Sequence, residues 1–179
     1  MRAVGEALLQ RIRVPAGFAA AALYFYFARP TLTSLLLGGG LALVGLVTRA
    51  WASGHLRKDS QLAVEGPYAL TRNPLYLGSF VIGLGFALAS GRPQIVVVFM
   101  VAFSVLYGPA MNRESSHLLE LFGQSYQRYC ENVPVFFPKL RLPLLGGFSF
   151  RLYWRNREYQ ALLGYLAALA VLVLKIRYR

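Results

Sequence analysis

Glu65-Gly66-Pro67-Tyr68-Ala69-Leu70-Thr71-Arg72-Asn73-Pro74-Leu75-Tyr76-Leu77-Gly78 is a polar stretch that opens directly into an apolar run. Gly66-Pro67 marks a turn, because glycine tolerates unusual backbone angles while proline fixes φ and lacks an N–H. Asn73-Pro74 marks a helix start, with proline at the first helical position and asparagine before it as an N-cap candidate. Between the two lie a hydroxyl, a guanidinium fork and a second phenol, on Tyr68, Arg72 and Tyr76. A loop carrying that chemistry between greasy segments reads as a working site at a membrane surface.

The segments on either side decide the class. The 179 residues are 56% hydrophobic and 15% charged, with a mean hydropathy of +0.47. That is too apolar for an ordinary soluble domain of this size and implies an all-α integral membrane protein. The net charge of +12 sits at the ends of apolar runs, as the positive-inside rule expects. It points to lipid headgroups and away from nucleic acid. One cysteine, Cys130, excludes an internal disulfide. A secretory signal is disfavoured, because no small-residue cleavage pattern follows the first apolar run.

Five apolar helices are expected. Residues 1–13 form an amphipathic lead-in, and Val14–Ala28 the first span, short enough that Arg13 and Arg29 must snorkel. Arg29-Pro30 breaks it, and Thr31 to about Ala52 is the second, where Gly38-Gly39-Gly40 and Gly45 allow close packing. Pro74–Ser90 and Gln94 to about Tyr107 form a hairpin across Gly91-Arg92-Pro93. Gly83 and Gly85 there read as packing residues, not a nucleotide fingerprint. After Gly108-Pro109 come two short interfacial helices, Asn112–Phe122 with Gly123 as its C-cap and Ser125–Cys130. Val133–Pro138 is extended against the membrane, and 139–158 is basic and aromatic. Tyr159–Leu174 is the last apolar helix. Cations crowd the amino terminus, the 49–72 connection and 113–157, which therefore face the cytoplasm. Lys175, Arg177 and Arg179 would reach the other side if the last helix crosses, so its course stays open.

The loop resembles the Gly-x-Tyr…Arg-His-Pro-x-Tyr segment of the isoprenylcysteine carboxyl methyltransferase and phospholipid methyltransferase family. Arg113-Glu114-Ser115-Ser116-His117-Leu118-Leu119-Glu120-Leu121-Phe122-Gly123-Gln124-Ser125-Tyr126-Gln127-Arg128-Tyr129 is similar to its Glu-Glu-x-x-Leu-x-x-x-Phe-Gly-x-x-Tyr-x-x-Tyr signature. Val133-Pro134 and Pro138 fit the continuation. The resemblance covers about residues 50–138 and implies a single membrane-embedded domain over 1–179. Its site would be built from 54–78 and 112–138, with 159–174 as an accessory helix.

The resemblance further implies an enzyme that uses S-adenosylmethionine on a lipophilic acceptor entering from the bilayer. By position, Gln61, Leu62, Tyr68, Asn73, Pro74, Leu75, Tyr76 and Glu114 are the cofactor-binding candidates, with Ser60 and Ala63 in the same strip. Arg72 and Glu114 are the candidate catalytic pair. A methyl on sulfonium is already activated, so alignment and dryness matter more than acid or base, and no catalytic triad is needed. A prenylated cysteine carboxylate is the first acceptor, since it is ionised at neutral pH. A phospholipid amine is the second and would need Glu114 or His117 to take a proton.

This sequence departs from the family pattern at Asn73, where histidine is common, and at Ser115, where a second glutamate is common. The substrate-facing arginine of prenylcysteine enzymes has no clean counterpart. Plainer readings stand beside these: Arg72 as a headgroup anchor, Tyr68 and Tyr76 as interfacial belt residues, Glu114 as a helix-start charge. His55 and His117 lack the partners of a metal centre. Two rivals are a non-catalytic scaffold that binds lipid or a partner helix, and a sterol-type membrane reductase, which would require a nicotinamide cofactor.

Overall fold

A computed structural model describes residues 15, 17–58, 60–139 and 147–178. The expected lead-in at 1–13, Val14 and the 140–146 part of the basic aromatic segment lie outside the described residues. The chain forms α1 (Gly17–Phe27), α2 (Leu32–Ser53), a 3-10 turn (Gly66–Ala69), α3 (Pro74–Ala89), α4 (Pro93–Asn132), α5 (Phe150–Arg155) and α6 (Tyr159–Arg177). No strand occurs among the described residues. α2, α4 and α6 are long and apolar enough to cross a membrane, and α1 and α3 are shorter apolar helices. The protein is an all-α integral membrane protein.

The centre of the fold is an antiparallel pair, α2 against α3, and small residues at heptad-like spacing create it. Gly38, Ala42 and Gly45 of α2 face Gly78, Ile82, Gly85 and Ala89 of α3. A Cβ on Gly45 would lie 2.6 Å from the Ile82 nitrogen, and one on Gly85 would lie 2.5 Å from the Ala42 nitrogen. Backbone therefore touches backbone, which in a bilayer is where helix association draws its van der Waals energy. Gly39 instead meets Leu169 of α6, Gly83 meets Phe99 of α4, and Gly40 meets nothing.

The end of the bundle away from the 65–78 loop is closed by two turns stacked on each other. Thr31 caps α2 through a reciprocal box with Ser34, and Ser34 also donates to the Ala89 carbonyl. The Arg29 amide donates to the Ser90 carbonyl at 2.7 Å. Gly91 completes the tight turn at φ 65°, a conformation that glycine adopts without a Cβ penalty.

α6 runs the height of the bundle along α2. Its Glu158 end meets Arg49, its middle donates Tyr165 Oη to the Gly39 carbonyl, and Leu172 is buried with Ala28, Leu35 and Ala89. Lys175 lies at the other end of α6, beside α1. Its ammonium donates to the Phe25 and Tyr26 carbonyls at the end of α1, where orphan carbonyls and the helix dipole favour a cation.

The largest departure from expectation is α4. Gly108-Pro109 does not end the fourth helix, which continues to Asn132 with Pro109 inside it. A proline in a helix interior costs about 3 kcal/mol. A break there would instead leave four carbonyls and four amides without partners near lipid, which costs more. The first short helix expected after it is its continuation, and the second is a separate limb. Gly123, expected as a C-cap, stands at φ 51° and ψ −125°, outside helical geometry, and divides the two limbs.

Candidate active site

The polar loop folds as its prolines and glycines dictate. Gly66, at φ 57°, carries the chain beneath the His55 ring, where a Cβ would come 2.6 Å from Nε2. The Gly66–Ala69 turn then buries Tyr68. A buried phenol loses hydration, so the Tyr68 hydroxyl is held well above its ordinary pKa; the Glu114, Tyr129 and Glu158 charges push the same way and Arg49 opposes them. The Tyr68 carbonyl accepts a buried 2.7 Å hydrogen bond from Tyr129 Oη. A tyrosine this enclosed is not an interfacial belt residue.

The next four residues hold the far motif against the loop. The Arg72 amide donates to the Pro134 carbonyl at 2.9 Å and the Lys139 amide to the Leu70 carbonyl at 3.0 Å. Thr71 Oγ1 and Asn73 Nδ2 donate to the Val135 carbonyl at 3.3 and 2.9 Å. Residues 133–138 are non-helical and lie along the loop, with bends at Val133 and at Val135–Phe137 where a straight extended course was expected. Asn73 occupies the N-cap position of α3 with Pro74 first in the helix, but its side chain makes no cap bond. The amide is committed to Val135.

Arg72 turns its guanidinium toward α4, with one terminal nitrogen 2.8 Å from Cys130 Sγ, while its Nε is buried without a partner. Tyr126, Tyr129 and Val133 form a small core with Leu62, Leu118, Phe122 and Cys130 packed on it. Tyr126 Oη also bonds Ser115 Oγ at 2.8 Å, tying the two limbs of α4 across the Gly123 kink. Ser115, where a second glutamate is common in the resemblance, is thus a clamp within this helix.

Tyr76, in the first turn of α3, packs edge-on against Tyr107 with ring centres 5.7 Å apart. Its hydroxyl lies within electrostatic reach of the Glu114 carboxylate. Glu114 stands mid-helix, so the helix-start reading of its charge does not apply. Pro74 is fully buried, and the Leu75 carbonyl accepts from Arg49.

Arg49 was legible only as a positive-inside cation, yet it is the most heavily bonded side chain near the loop. It grips buried Glu158 with two nitrogens, at 2.6 and 2.9 Å, and donates to Ser79 Oγ at 2.5 Å. No sequence signal singled out Glu158. The pair stands 109 residues apart, and only the antiparallel course of α6 brings it together.

The candidate residues fall into two groups. Gln61 and Leu62, with Ala63, line a cleft of about 180 Å³ together with His55, Arg57, Val64, Glu65, Gly147 and Leu152. Asn73, Pro74, Leu75, Tyr76 and Glu114 form the second group around the start of α3. Tyr68 and Leu62 link the two through Tyr129 and its neighbours. The donor set fits a sulfonium nucleoside: a carboxylate for positive charge, amides for the polar edge of a base, and leucine and tyrosine faces for its rings. The 180 Å³ cleft suits the heterocycle alone. Among the described residues, no three of His, Cys, Asp and Glu stand together as a metal centre needs.

Comparison with known proteins gives the family of the chain. The chain is 34% identical over 113 residues to a nickel-cobalt-cadmium resistance protein of Alcaligenes xylosoxydans xylosoxydans, covering 62% of this chain and 51% of that one. It is 32% identical over 140 residues to a cobalt-zinc-cadmium resistance protein of Cupriavidus metallidurans, covering 73% and 63%. It is 28% identical over 109 residues to the protein-S-isoprenylcysteine O-methyltransferase of Schizosaccharomyces pombe, covering 58% and 46%. The chain thus spans about half to two thirds of the length of these relatives. No solved structure gives a significant match. Residues 32–125, from the start of α2 to just past the Gly123 kink, match the phospholipid methyltransferase family, and the chain belongs to that family.

Proposed function

We propose that this protein is an S-adenosylmethionine-dependent methyltransferase for a lipophilic acceptor that arrives from the bilayer. The observation carrying this reading is the union of the two separated motifs: Tyr129 bonds the Tyr68 carbonyl and Asn73 bonds the Val135 carbonyl. A whole-chain domain follows, with 54–78 and 112–138 forming the site and α6 bracing it. The crowding of cations around 49–72 and 113–157 supports a cytoplasmic site.

S-adenosylmethionine, when bound, supplies a methyl group already activated on sulfur. The work left to the protein is to align two reactants and exclude water. Glu114 would offer its carboxylate to the positive end of the cofactor, with the Tyr76 phenol nearby. Gln61 and Leu62 wall the base, while Pro74 and Leu75 set the floor of the site at the start of α3. Asn73 holds the 133–138 segment closed through Val135. Arg72, drawn toward Cys130 with its Nε unpaired, retains donors for an anionic group. A carboxylate acceptor such as a prenylated cysteine needs no base, whereas a phospholipid amine would draw Glu114 or His117 into proton transfer; the first is preferred.

The test is calorimetric titration of S-adenosylmethionine and S-adenosylhomocysteine into detergent-purified protein, with Glu114→Ala and Tyr76→Ala beside it. Saturable binding by the wild type, weakened in both variants, is expected. A folded wild type that binds neither compound would sink the reading and leave a non-catalytic scaffold of the family.

A further inference from the structure

We propose that the groove between α1 and the start of α4 binds one glycerophospholipid, with its phosphate on Arg92 and one acyl chain laid between the two helices. The groove lies at the end of the bundle away from the 65–78 loop, and the inference does not depend on methyl transfer. Its volume is about 540 Å³, within the roughly 300–1,000 Å³ of cavities that hold small ligands. Ala20, Leu23, Tyr24 and Phe27 of α1 form one wall and Ile95 and Val98 of α4 the other. Arg92 and Gln94 mark its outer end, where α4 begins.

The gap is built into the way α1 is anchored. Tyr24 Oη donates to the Phe86 carbonyl at 2.7 Å, and Lys175 holds the Phe25 and Tyr26 carbonyls. The Arg29 amide, bonded to the Ser90 carbonyl, sets the end of α1 beside the start of α4, so the two run antiparallel. Phe27 then stands level with Arg92 and Ala20 level with Val98, about 10 Å deeper at about 1.5 Å per residue. On the groove side Leu23 and Phe27 stay 58% and 57% exposed, whereas α2 and α3 press backbone against backbone. A gap this wide forfeits the dispersion contacts of its walls, and a lipid chain restores them.

The outer end selects a lipid that carries phosphate. Arg92 is half-buried, and only its backbone is engaged, through Ser90 Oγ; its guanidinium has no ion pair among the described residues. None of the described carboxylates lines the groove. A guanidinium fork suits phosphate oxygens, and the Gln94 amide is a further donor. A neighbouring cleft gives the contrast. It lies behind Tyr24 and Ile95, has a volume of about 520 Å³, and among the described residues that line it none is charged. That cleft cannot tell one apolar chain from another, whereas the α1–α4 groove joins an apolar trough to a cation, the pattern of a phospholipid. Its walls also argue against a second copy of the chain: helices in lipid associate through small residues, and Leu23, Phe27, Ile95 and Val98 are large.

The test is photolabelling of the full chain in neutral detergent with a phosphatidylglycerol that carries a diazirine on one acyl chain, followed by peptide mapping. Adducts are expected on 17–27 and 94–98. Unlabelled phosphatidylglycerol should displace the probe, and inorganic phosphate should not. Dioleoylglycerol, which lacks the phosphate, should need roughly tenfold more, the loss of one charge-assisted contact. Arg92→Gln should weaken labelling of these stretches by a similar factor. Ala20→Phe fills the deep end from an exposed position, so it should abolish labelling there with the melting temperature unchanged. Adducts spread equally onto Val101 and Val105, exposed further along α4, would overturn the proposal by showing a lipid shell without a site. Equal competition by dioleoylglycerol or by inorganic phosphate would do the same, as would unchanged labelling in either variant. Absence of labelling would also overturn it, and in a chain that runs as a dimer would give the groove to a second copy.

Discussion

Arg49 and Glu158 form a two-pronged ion pair at the mouth of the bundle, with Nε 2.6 Å from Oε1 and a terminal nitrogen 2.9 Å from Oε2. Glu158 is 6% exposed and Arg49 25%. Through Ser79 and the Leu75 carbonyl the same guanidinium also holds α3, so one side chain joins the ends of α2, α3 and α6. Arg49→Leu strands a buried carboxylate and should cost about 3 kcal/mol, at the lower end for broken buried pairs because Arg49 is partly hydrated. Arg49→Leu/Glu158→Leu removes both charges and should recover much of that loss. Unfolding in denaturant of both variants checks this, and equal losses would contradict the ion pair as the cause.

Glycine packing between α2 and α3 gives a prediction with an internal control. Gly85→Ala drives a methyl to 2.5 Å from the Ala42 nitrogen, and backbone cannot yield as a side-chain tip does. A loss of about 1–3 kcal/mol is expected, as for other overpacked sites. Gly40→Ala, two residues from Gly38 on the same helix, meets nothing within 4 Å. It should be neutral or stabilising by up to about 1 kcal/mol from helix propensity. Melting temperatures in one detergent decide it, and matched behaviour of the two variants would dismiss the close approach.

Asn73 is a strut in this structure, not a cap, and that distinction can be measured. Asn73→Asp replaces the Nδ2 donor with an acceptor facing the Val135 carbonyl, turning a bond into a repulsion of about 1–3 kcal/mol. An N-cap role would predict no harm, because aspartate caps as well as asparagine. Faster amide exchange or proteolysis at 133–138, with α3 still helical, is expected of the strut.

These contrasts show how far the chain could be read unaided. Apolar runs and the punctuation at Arg29-Pro30, Asn73-Pro74 and Gly91 located the helices, because those signals are local and backbone sterics enforce them. That 133–138 is not helical was legible for the same reason, since Pro134 and Pro138 forbid helix, but its bends were not. Three features depended on the third dimension. Pro109 looked like a helix end, but partnerless backbone near lipid costs more than a proline kink. Glu158 looked like one charge among many until α6 laid it on Arg49. The turn at Arg157, at φ 56°, carried no glycine to announce it. At the site, spacing brought the right segments together, while the division of labour within them, Asn73 to Val135 and Ser115 to Tyr126, needed coordinates.

The bend at Gly123 sets where the second motif meets the first. At φ 51° and ψ −125° an L side chain is strained even though no neighbour lies within 4 Å of its Cβ position. Gly123→Ala should therefore cost about 1–2 kcal/mol through the backbone alone. The cheapest escape is to straighten α4, which would pull Tyr126 from Ser115 and Tyr129 from the Tyr68 carbonyl, bonds of 2.8 and 2.7 Å. Tyr129→Phe removes only the second of these and leaves a buried carbonyl unpaired, at a similar cost. If the bend positions the site, Gly123→Ala should weaken S-adenosylhomocysteine binding at least as much as Tyr129→Phe. Adding Tyr129→Phe to it should then change little, because the bond is already gone. Fully additive losses in calorimetric titration would mean that the bend and the Tyr129 bond act independently, and the straightening account would fail.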